Sequence, residues 1–390
     1  MEFELWWLLA LPATFGLGWL ASRLDLLQLR HDGKHRRDAT LAYFRGLNFL
    51  LSEQQDKAID AFIEAVTADP DTVDLHFALG NLFRRRGEYE RAVRVHQNLL
   101  SRADLPAAER QRAQVALAQD FFKAGLLDRA EAVYTALTGT AYQSEALGAL
   151  LQIHERTREW NSAIDIAQRL ERLGGGSWGR QIAHYWCEIA LRQRRDADHA
   201  AALDSLDKAG AADPQAVRPW QLRSAIAEQQ GDAAQALAHL RRAATLRPEF
   251  AAVLAADAAR LFRDTGQQQA GLEWLRTQLQ ESPAIELLDA VLSLEPDADQ
   301  RRRLSLQYLQ AHGSLLAARR AVEQAAASPD EEGLRGAVEQ ALDRALTNRQ
   351  RYRCAACGFE ARSYAWHCPA CMGWDTYPPR RSEELSLTGV

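Results

Sequence analysis

The sequence predicts an all-α protein that consists of an N-terminal transmembrane helix, a solenoid of helical repeats and a small C-terminal domain folded around a metal ion. Three observations predict this architecture. Helix breakers are scarce, with 23 glycines and 12 prolines among 390 residues. Small and apolar residues recur about every 34 positions, and four of the five cysteines lie near the C-terminus. The composition, 47% hydrophobic and 25% charged, is typical of a folded chain, and the net charge of −5 predicts no nucleic-acid partner.

Residues 1–23 are predicted to anchor the chain in a membrane. An uncharged, apolar run extends from Leu5 to Ser22, which as a helix spans about 27 Å, enough for a hydrocarbon core. A cleaved signal peptide is the alternative, but such a peptide begins with basic residues and this chain begins Met-Glu-Phe-Glu. The flanking charges, acidic before the run and basic within the linker 24–38, place the N-terminus outside and the rest of the chain in the cytoplasm. The basic linker is equally suited to contact anionic lipid headgroups.

Small residues recur at every fourth position of the apolar run: Ala10, Thr14, Gly18 and Ser22. On a helix these four residues share one face, which lets the backbone of another membrane helix approach closely. Because glycine is common in membrane helices in general, the pattern is also compatible with a simple tether.

Residues 39–282 are predicted to form about seven tetratricopeptide repeats, and residues 283–350 a degenerate repeat with capping helices. Each unit has small residues where its two helices cross and large residues in the groove between units, and its apolar face is buried only by stacking on its neighbours. One alanine marks the equivalent position of each unit: Ala58, Ala92, Ala130, Ala163, Ala202, Ala236 and Ala270. The array contains no catalytic set, so we expect a protein that binds segments of other proteins and is not an enzyme.

Three features of the array are predicted to be structural. The glycine-rich stretch 174–179 lacks the Lys-Ser/Thr of a phosphate loop and is interpreted as an inter-repeat turn. Cys187 is interpreted as a small buried hydrophobe. His184 and the other solenoid histidines are interpreted as surface or packing residues.

Residues 351–378 are predicted to bind one iron or zinc ion through four thiolates, and residues 379–390 are set apart as a tail. Two Cys-x2-Cys pairs are separated by ten residues, with the ligands Cys354, Cys357, Cys368 and Cys371. Four thiolates form a closed tetrahedral site that suits either metal. The glycine after the first pair and the proline within the second are similar to rubredoxin knuckles, whereas the short gap is closer to a zinc ribbon. Aromatic residues around the pairs are expected to form a small core: Tyr352, Phe359, Tyr364, Trp366, Trp374 and Tyr377.

Taken together, a membrane-tethered repeat array followed by Cys-x2-Cys-Gly and Cys-Pro-x-Cys-x2-Trp-Asp-Thr resembles the lipopolysaccharide assembly protein B family of Gram-negative bacteria. The resemblance implies a regulatory adaptor at the inner membrane that promotes proteolysis of the LpxC deacetylase of lipid A synthesis by the FtsH protease. It also implies rubredoxin-type metal ligands at the four cysteines. Other lipopolysaccharide-pathway membrane proteins are further expected partners, and the sequence leaves a homodimer open.

Two other functions remain open at the level of sequence. A scaffold would gather enzymes of lipopolysaccharide synthesis or export without proteolysis. A rubredoxin-like protein would transfer electrons through an iron site, a function that the short gap between the cysteine pairs disfavours.

Overall fold

The computed structural model describes residues 14–15, 41–49, 51–52, 54–69, 72–324, 332–346 and 351–387. Most of the predicted membrane anchor, including Ala10, Gly18 and Ser22 of the predicted packing face, lies outside these residues, whereas Thr14 is helical and exposed. Among the described residues, no helix has the length and apolar character that crossing a bilayer requires. The chain divides into two compact units, residues 1–159 and 160–390.

The first unit is a series of helices in which small residues lie at the helix crossings. Residues 41–49 are helical, and Ala58, Ala92 and Ala130 are all 0% exposed, because only a small side chain lets two helices approach closely. Gly87, with φ +83°, ends one helix and turns the chain into the next. The remaining helices of this unit are α1 (Gln55–Ala68), α2 (Val73–Arg86), α3 (Tyr89–Ser101), α4 (Ala107–Lys123), α5 (Leu127–Leu137) and α6 (Gln143–Thr157).

The second unit continues the helical repeats and then adds the C-terminal domain. The stretch 174–178 contains a turn and non-helical residues between two helices, which confirms the prediction of an inter-repeat turn. Cys187 is 1% exposed, and burial raises the pKa of its thiol to about 12, as expected of a small buried hydrophobe. The repeat helices are α7 (Trp160–Arg172), α8 (Gly179–Arg195), α9 (His199–Ala212), α10 (Arg218–Gln229), α11 (Ala233–Leu246), a 3₁₀ turn (Pro248–Phe250), α12 (Ala251–Asp264) and α13 (Gln268–Glu281).

Further helices follow where the sequence predicts capping elements. Their apolar faces meet in a cluster around Leu288, Tyr308 and Leu346, so these helices share one core. The C-terminal domain that comes after them contains one two-stranded antiparallel sheet. The bounds are α14 (Ile285–Leu294), α15 (Ala298–His312), α16 (Leu315–Gln324), α17 (Glu332–Leu346), β1 (Tyr352–Arg353), β2 (Glu360–Ala361) and α18 (Ser382–Leu387).

A buried polar network joins neighbouring repeats of the first unit. His96 and Asp120 are both 0% exposed, and His96 Nδ1 lies 2.5 Å from Asp120 Oδ2. Arg84 donates to the other oxygen of Asp120 at 2.7 Å. The imidazole ring lies directly against Gly80, where a Cβ atom would be 2.5 Å from Cε1 of His96. Glycine at this position therefore makes room for the network.

Replacing Gly80 by Ala is expected to destabilise the first unit by about 1–3 kcal/mol, because the added methyl group must displace the His96 ring from its buried contact with Asp120. Gly148→Ala is the matched control, since Gly148 is also helical and a Cβ there meets nothing within 4 Å. The control substitution is expected to stabilise the first unit by about 0.5–1 kcal/mol. Urea unfolding of both variants measures the difference, and equal stabilities would contradict this account.

Candidate metal centre

The C-terminal domain positions its cysteines with two similar turns. In the first, the N–H of Gly358 donates to the carbonyl of Cys354 at 2.9 Å, and in the second Met372 donates to Cys368 at 2.9 Å. The residue after each Cys-x2-Cys pair has a left-handed backbone, with φ +77° at Gly358 and +59° at Met372. The two turns thus direct both pairs of sulfurs towards one point, although only the first has the glycine that this backbone favours.

The four sulfur atoms have the spacing of a tetrahedral metal site. All four Sγ atoms lie within 4.8 Å of one another. Cys354 Sγ is 3.8 Å from Cys371 Sγ, and Cys357 Sγ is 3.7 Å from Cys368 Sγ. A tetrahedron with metal–sulfur bonds of about 2.3 Å has edges of about 3.8 Å. The four cysteines are therefore placed to hold one metal ion as a tetrathiolate, and none of them forms a disulfide.

Local hydrogen bonds favour the thiolate form on the buried side of the site. Burial alone would raise the pKa of Cys354, but hydrogen bonds from Thr376 and from the backbone N–H groups of Cys357 and Ala356 lower it to about 6. Burial opposes ionisation of Cys368 too, and donors that include the Tyr377 hydroxyl, 3.7 Å from its sulfur, lower its pKa. Since metals bind thiolates, these donors prepare the site for an ion.

The aromatic residues around the site divide between two roles. Tyr352 and Tyr377 are buried against Cys354 and Cys368, as the prediction of a small core requires. Phe359 is 43% exposed, so its assignment to that core is wrong. Trp366 and Trp374 pack on the repeat helices and not within that core, so their assignment to it is also wrong.

Trp374 inserts among side chains of the repeat helices. Its ring stacks on His184 of α8 at 4.9 Å between centroids and on His367 of its own domain at 4.2 Å. The edges of Trp160 and Tyr185 meet it at 6.1 and 5.9 Å. Trp374 is 9% exposed as a result, so a large apolar surface is buried between the metal domain and the helices.

Asp375 adds a charged contact at the same place. Its φ of +53° is a left-handed conformation that aspartate tolerates better than most residues. Its carboxylate lies 3.0 Å from Nε2 of His184 and 3.9 Å from Nε of Arg180. The Trp-Asp dipeptide therefore combines an apolar and an anionic contact with α8.

Trp366 makes a second contact one repeat further along. Its ring stacks on Phe250 at 5.3 Å, and its Nε1 donates to Gln221 Oε1 at 3.2 Å. Sequence reasoning missed these contacts and assigned His184 only to the solenoid. The repeat period is the one signal in the sequence that points to this surface. His184 and Arg218 occupy equivalent positions of successive repeats, and Arg218 also lies over Trp374.

The C-terminal helix α18 fastens the metal domain to the last repeat helices. Glu384 accepts a hydrogen bond from the N–H of Ile285 at 2.7 Å, and Glu383 accepts one from Leu315 at 2.7 Å. Glu383 also accepts from the Ser314 hydroxyl at 2.9 Å. Both carboxylates thus lie at the first residues of α14 and α16, where helices favour negative charge. The described part of the predicted tail, up to Leu387, is in this way packed against the fold.

The chain is similar to several proteins of known name or structure. Residues 352–379 match a family described as the rubredoxin metal binding domain. "Lipopolysaccharide assembly protein B" of Escherichia coli (strain K12) is 33% identical over 96% of this chain and 97% of its own. The protein of the same name from Haemophilus influenzae is 29% identical over 96% of this chain and 98% of its own. A solved tetratricopeptide repeat protein from Parabacteroides merdae covers 66% of this chain and 99% of its own at 13% identity, with a TM-score of 0.34.

Loss of the metal ion is expected to release the metal domain from the repeat helices. A domain of this size has too little apolar core to fold without the ion, so its unfolding exposes Trp366 and Trp374. The measurement is the tryptophan emission of the full chain before and after chelation, where a red shift is expected. A Trp366→Phe, Trp374→Phe variant is the control, because it lacks the two reporters among the ten tryptophans. A wild-type shift no larger than that of the control would contradict the prediction.

The attachment of α18 is expected to weaken as pH rises. Burial and the neighbouring Glu286 raise the pKa of Glu384 from its ordinary 4.5 to about 7. The folded state therefore binds this proton more tightly than the unfolded state does, and the stabilisation, up to about 3 kcal/mol, is lost between about pH 4.5 and 7. Urea unfolding at several pH values checks this. The free energy of unfolding of Glu384→Gln should rise relative to that of the wild type as pH rises, whereas that of the exposed Glu360→Gln should not.

Proposed function

This chain belongs to the lipopolysaccharide assembly protein B family, and from that premise we propose that it is a non-enzymatic adaptor that controls lipopolysaccharide level at the bacterial inner membrane. The proposed action is to bring the LpxC deacetylase of lipid A synthesis to the FtsH protease. The observation that carries the proposal is the full-length relationship, which includes both the repeat helices and the two cysteine pairs.

The metal centre supports a structural role for the ion. Four thiolates complete its coordination and leave no open position for a substrate or a water nucleophile. The folded metal domain instead serves as a docked structural element. Trp374 and Asp375 attach it to α8, and α18 attaches it to the last helices. When bound, the ion supplies the folding energy of that domain.

The repeats support an adaptor because they offer binding surface in place of catalytic chemistry. An adaptor that holds a substrate beside a membrane protease raises the effective concentration of that substrate without a new reaction. In this proposal residues 1–23 cross the inner membrane once, with the bulk of the chain on the cytoplasmic side. The small-residue face around Thr14 and Gly18 then packs against membrane helices of the protease.

The half-life of the LpxC deacetylase after a translation block tests the proposal. It is expected to lengthen several-fold when this protein is depleted, and wild-type protein should restore the short half-life. Cys354→Ser, Cys357→Ser protein should not restore it, because loss of the site unfolds the metal domain. Cys187→Ala is the matched control, since that cysteine is buried in the repeats.

Other outcomes favour the alternative functions. A half-life that is unchanged on depletion would contradict the proteolytic adaptor and favour a scaffold for lipopolysaccharide synthesis or export. A bound iron ion with a reversible colour change would favour electron transfer.

A further inference from the structure

The first helix of the repeats, residues 41–49, has an apolar face on the side that points away from its neighbours. Leu41, Phe44 and Leu51 are 62%, 55% and 82% exposed. Leu51 is helical as well, and the N–H that follows it donates to the carbonyl of Asn48 at 3.1 Å. At about 100° per residue the three side chains lie within about 80° of one another. Leu41, Phe44 and Leu51 therefore form one surface, which we call the outer stripe.

Close packing fixes the opposite side of this helix, so the outer stripe cannot turn inwards. Ala42 is 0% exposed, and Gly46 lies against Phe62, where a Cβ atom would be 2.9 Å from Cε2 of the ring. Tyr43 meets the same ring edge-on, with 5.7 Å between centroids. The terminal helix of a repeat array ordinarily presents a polar outer side to water. An apolar one needs an occupant.

The helix has almost no charge of its own. Arg45 is the one charged residue between positions 41 and 52, and its Nη2 lies 2.8 Å from Glu64 of α1. The stripe is thus an apolar surface whose nearest cation already has a partner within the first unit. Burial of apolar area, and not an ion pair, must hold whatever covers it.

The bilayer fits the outer stripe better than a protein occupant does. Residues 31–40, which precede the stripe, contain no large apolar side chain to cover it. The three side chains expose on the order of 400 Å² if each whole side chain counts about 200 Å². That area is about half of the roughly 800 Å² that each partner buries in a stable protein complex. A tethered chain needs only a small further contact with its membrane, because the tether raises the effective concentration.

We propose that residues 41–51 lie on the cytoplasmic surface of the bilayer, with the outer stripe in the headgroup region. Phenylalanine and leucine are typical of the apolar face of helices that lie in this region. The stripe begins 18 residues after Arg23, where the predicted anchor ends. The basic residues of the linker between them are attracted to anionic headgroups. The inference rests on the proposed membrane crossing of residues 1–23 and goes beyond it, because a tether alone does not orient the first repeat.

Photo-cross-linking of the zinc-loaded full chain in vesicles of phosphatidylethanolamine and phosphatidylglycerol tests the proposal. The photoreactive residue p-benzoylphenylalanine replaces Phe44, and mass spectrometry identifies what it joins on irradiation. The same residue at Leu126, which is also exposed in the first unit, is the matched control, and at Phe15, exposed within the predicted anchor, it reports the membrane crossing. Lipid adducts are expected at positions 15 and 44, and several-fold fewer at position 126.

Substitutions within the stripe show whether it makes the contact. Leu41→Gln, Leu51→Gln in the chain with the reporter at position 44 is expected to lower the lipid adducts there several-fold and to leave those at position 15 unchanged. Both leucines are exposed, so urea unfolding of this variant should match that of the parent chain. Leu126→Gln is the control substitution and should change neither yield.

The outcomes separate this inference from the membrane crossing. Lipid adducts at position 15 without an excess at position 44 over position 126 would overturn the inference and leave the crossing intact. Lipid adducts at neither position would overturn both. Adducts of position 44 with a second copy or with residues 24–40, in place of lipid, would also overturn it, as would an undiminished yield in Leu41→Gln, Leu51→Gln. The half-life of the deacetylase is measured independently, so the adaptor function stands or fails separately.

Discussion

Convergence of four thiolates on one point is the constraint on which the C-terminal domain and its contacts with the repeat helices depend. The C-terminal domain has only a two-residue ladder between Tyr352–Arg353 and Glu360–Ala361 and a small buried cluster around Tyr352 and Tyr377. Such a domain cannot bury enough apolar surface to offset its chain entropy, so the ion must order it. Trp366 and Trp374 can face outwards because they are not needed for the domain's own core. They are free to bind the repeat helices, and the metal therefore determines what covers those helices.

The repeat array contributes the complementary half of that contact through its period. Equivalent positions of successive repeats lie side by side, so His184 and Arg218 converge on one tryptophan although they belong to different repeats. Arg194 and Glu228, which are separated by the same period, line one groove. A solenoid can in this way build a site from single residues of several repeats without any local motif, which is why such sites are hard to find in a sequence.

The parts of this structure that the sequence predicts are those with a short-range pattern. Six of the seven alanines predicted at helix crossings are buried, whereas the prediction is wrong for Ala270, which is exposed because the neighbouring Gly271 packs against Phe262 in its place. The six alanines, the turn at 174–178 and the convergence of the cysteines follow from spacing alone. The contacts of Trp366 with Gln221 and of Glu384 with Ile285 join residues 145 and 99 positions apart, and no local pattern specifies them. Phe359 shows the opposite error, because an aromatic residue next to a metal knuckle need not be buried when the ion rather than the core supplies stability.

The position of the metal domain also limits how the repeats can meet another protein. Repeat helices α8 and α10 present their first turns to Trp374, so a ligand cannot use those turns while the domain is docked. What remains on these two helices is a groove lined by Leu191, Arg194 and Glu228 and bounded by Trp366. The metal domain therefore acts on this part of the solenoid in two ways, since it occupies one half of the inter-helix surface and completes the other. A cysteine substitution that unfolds the metal domain would therefore alter both halves.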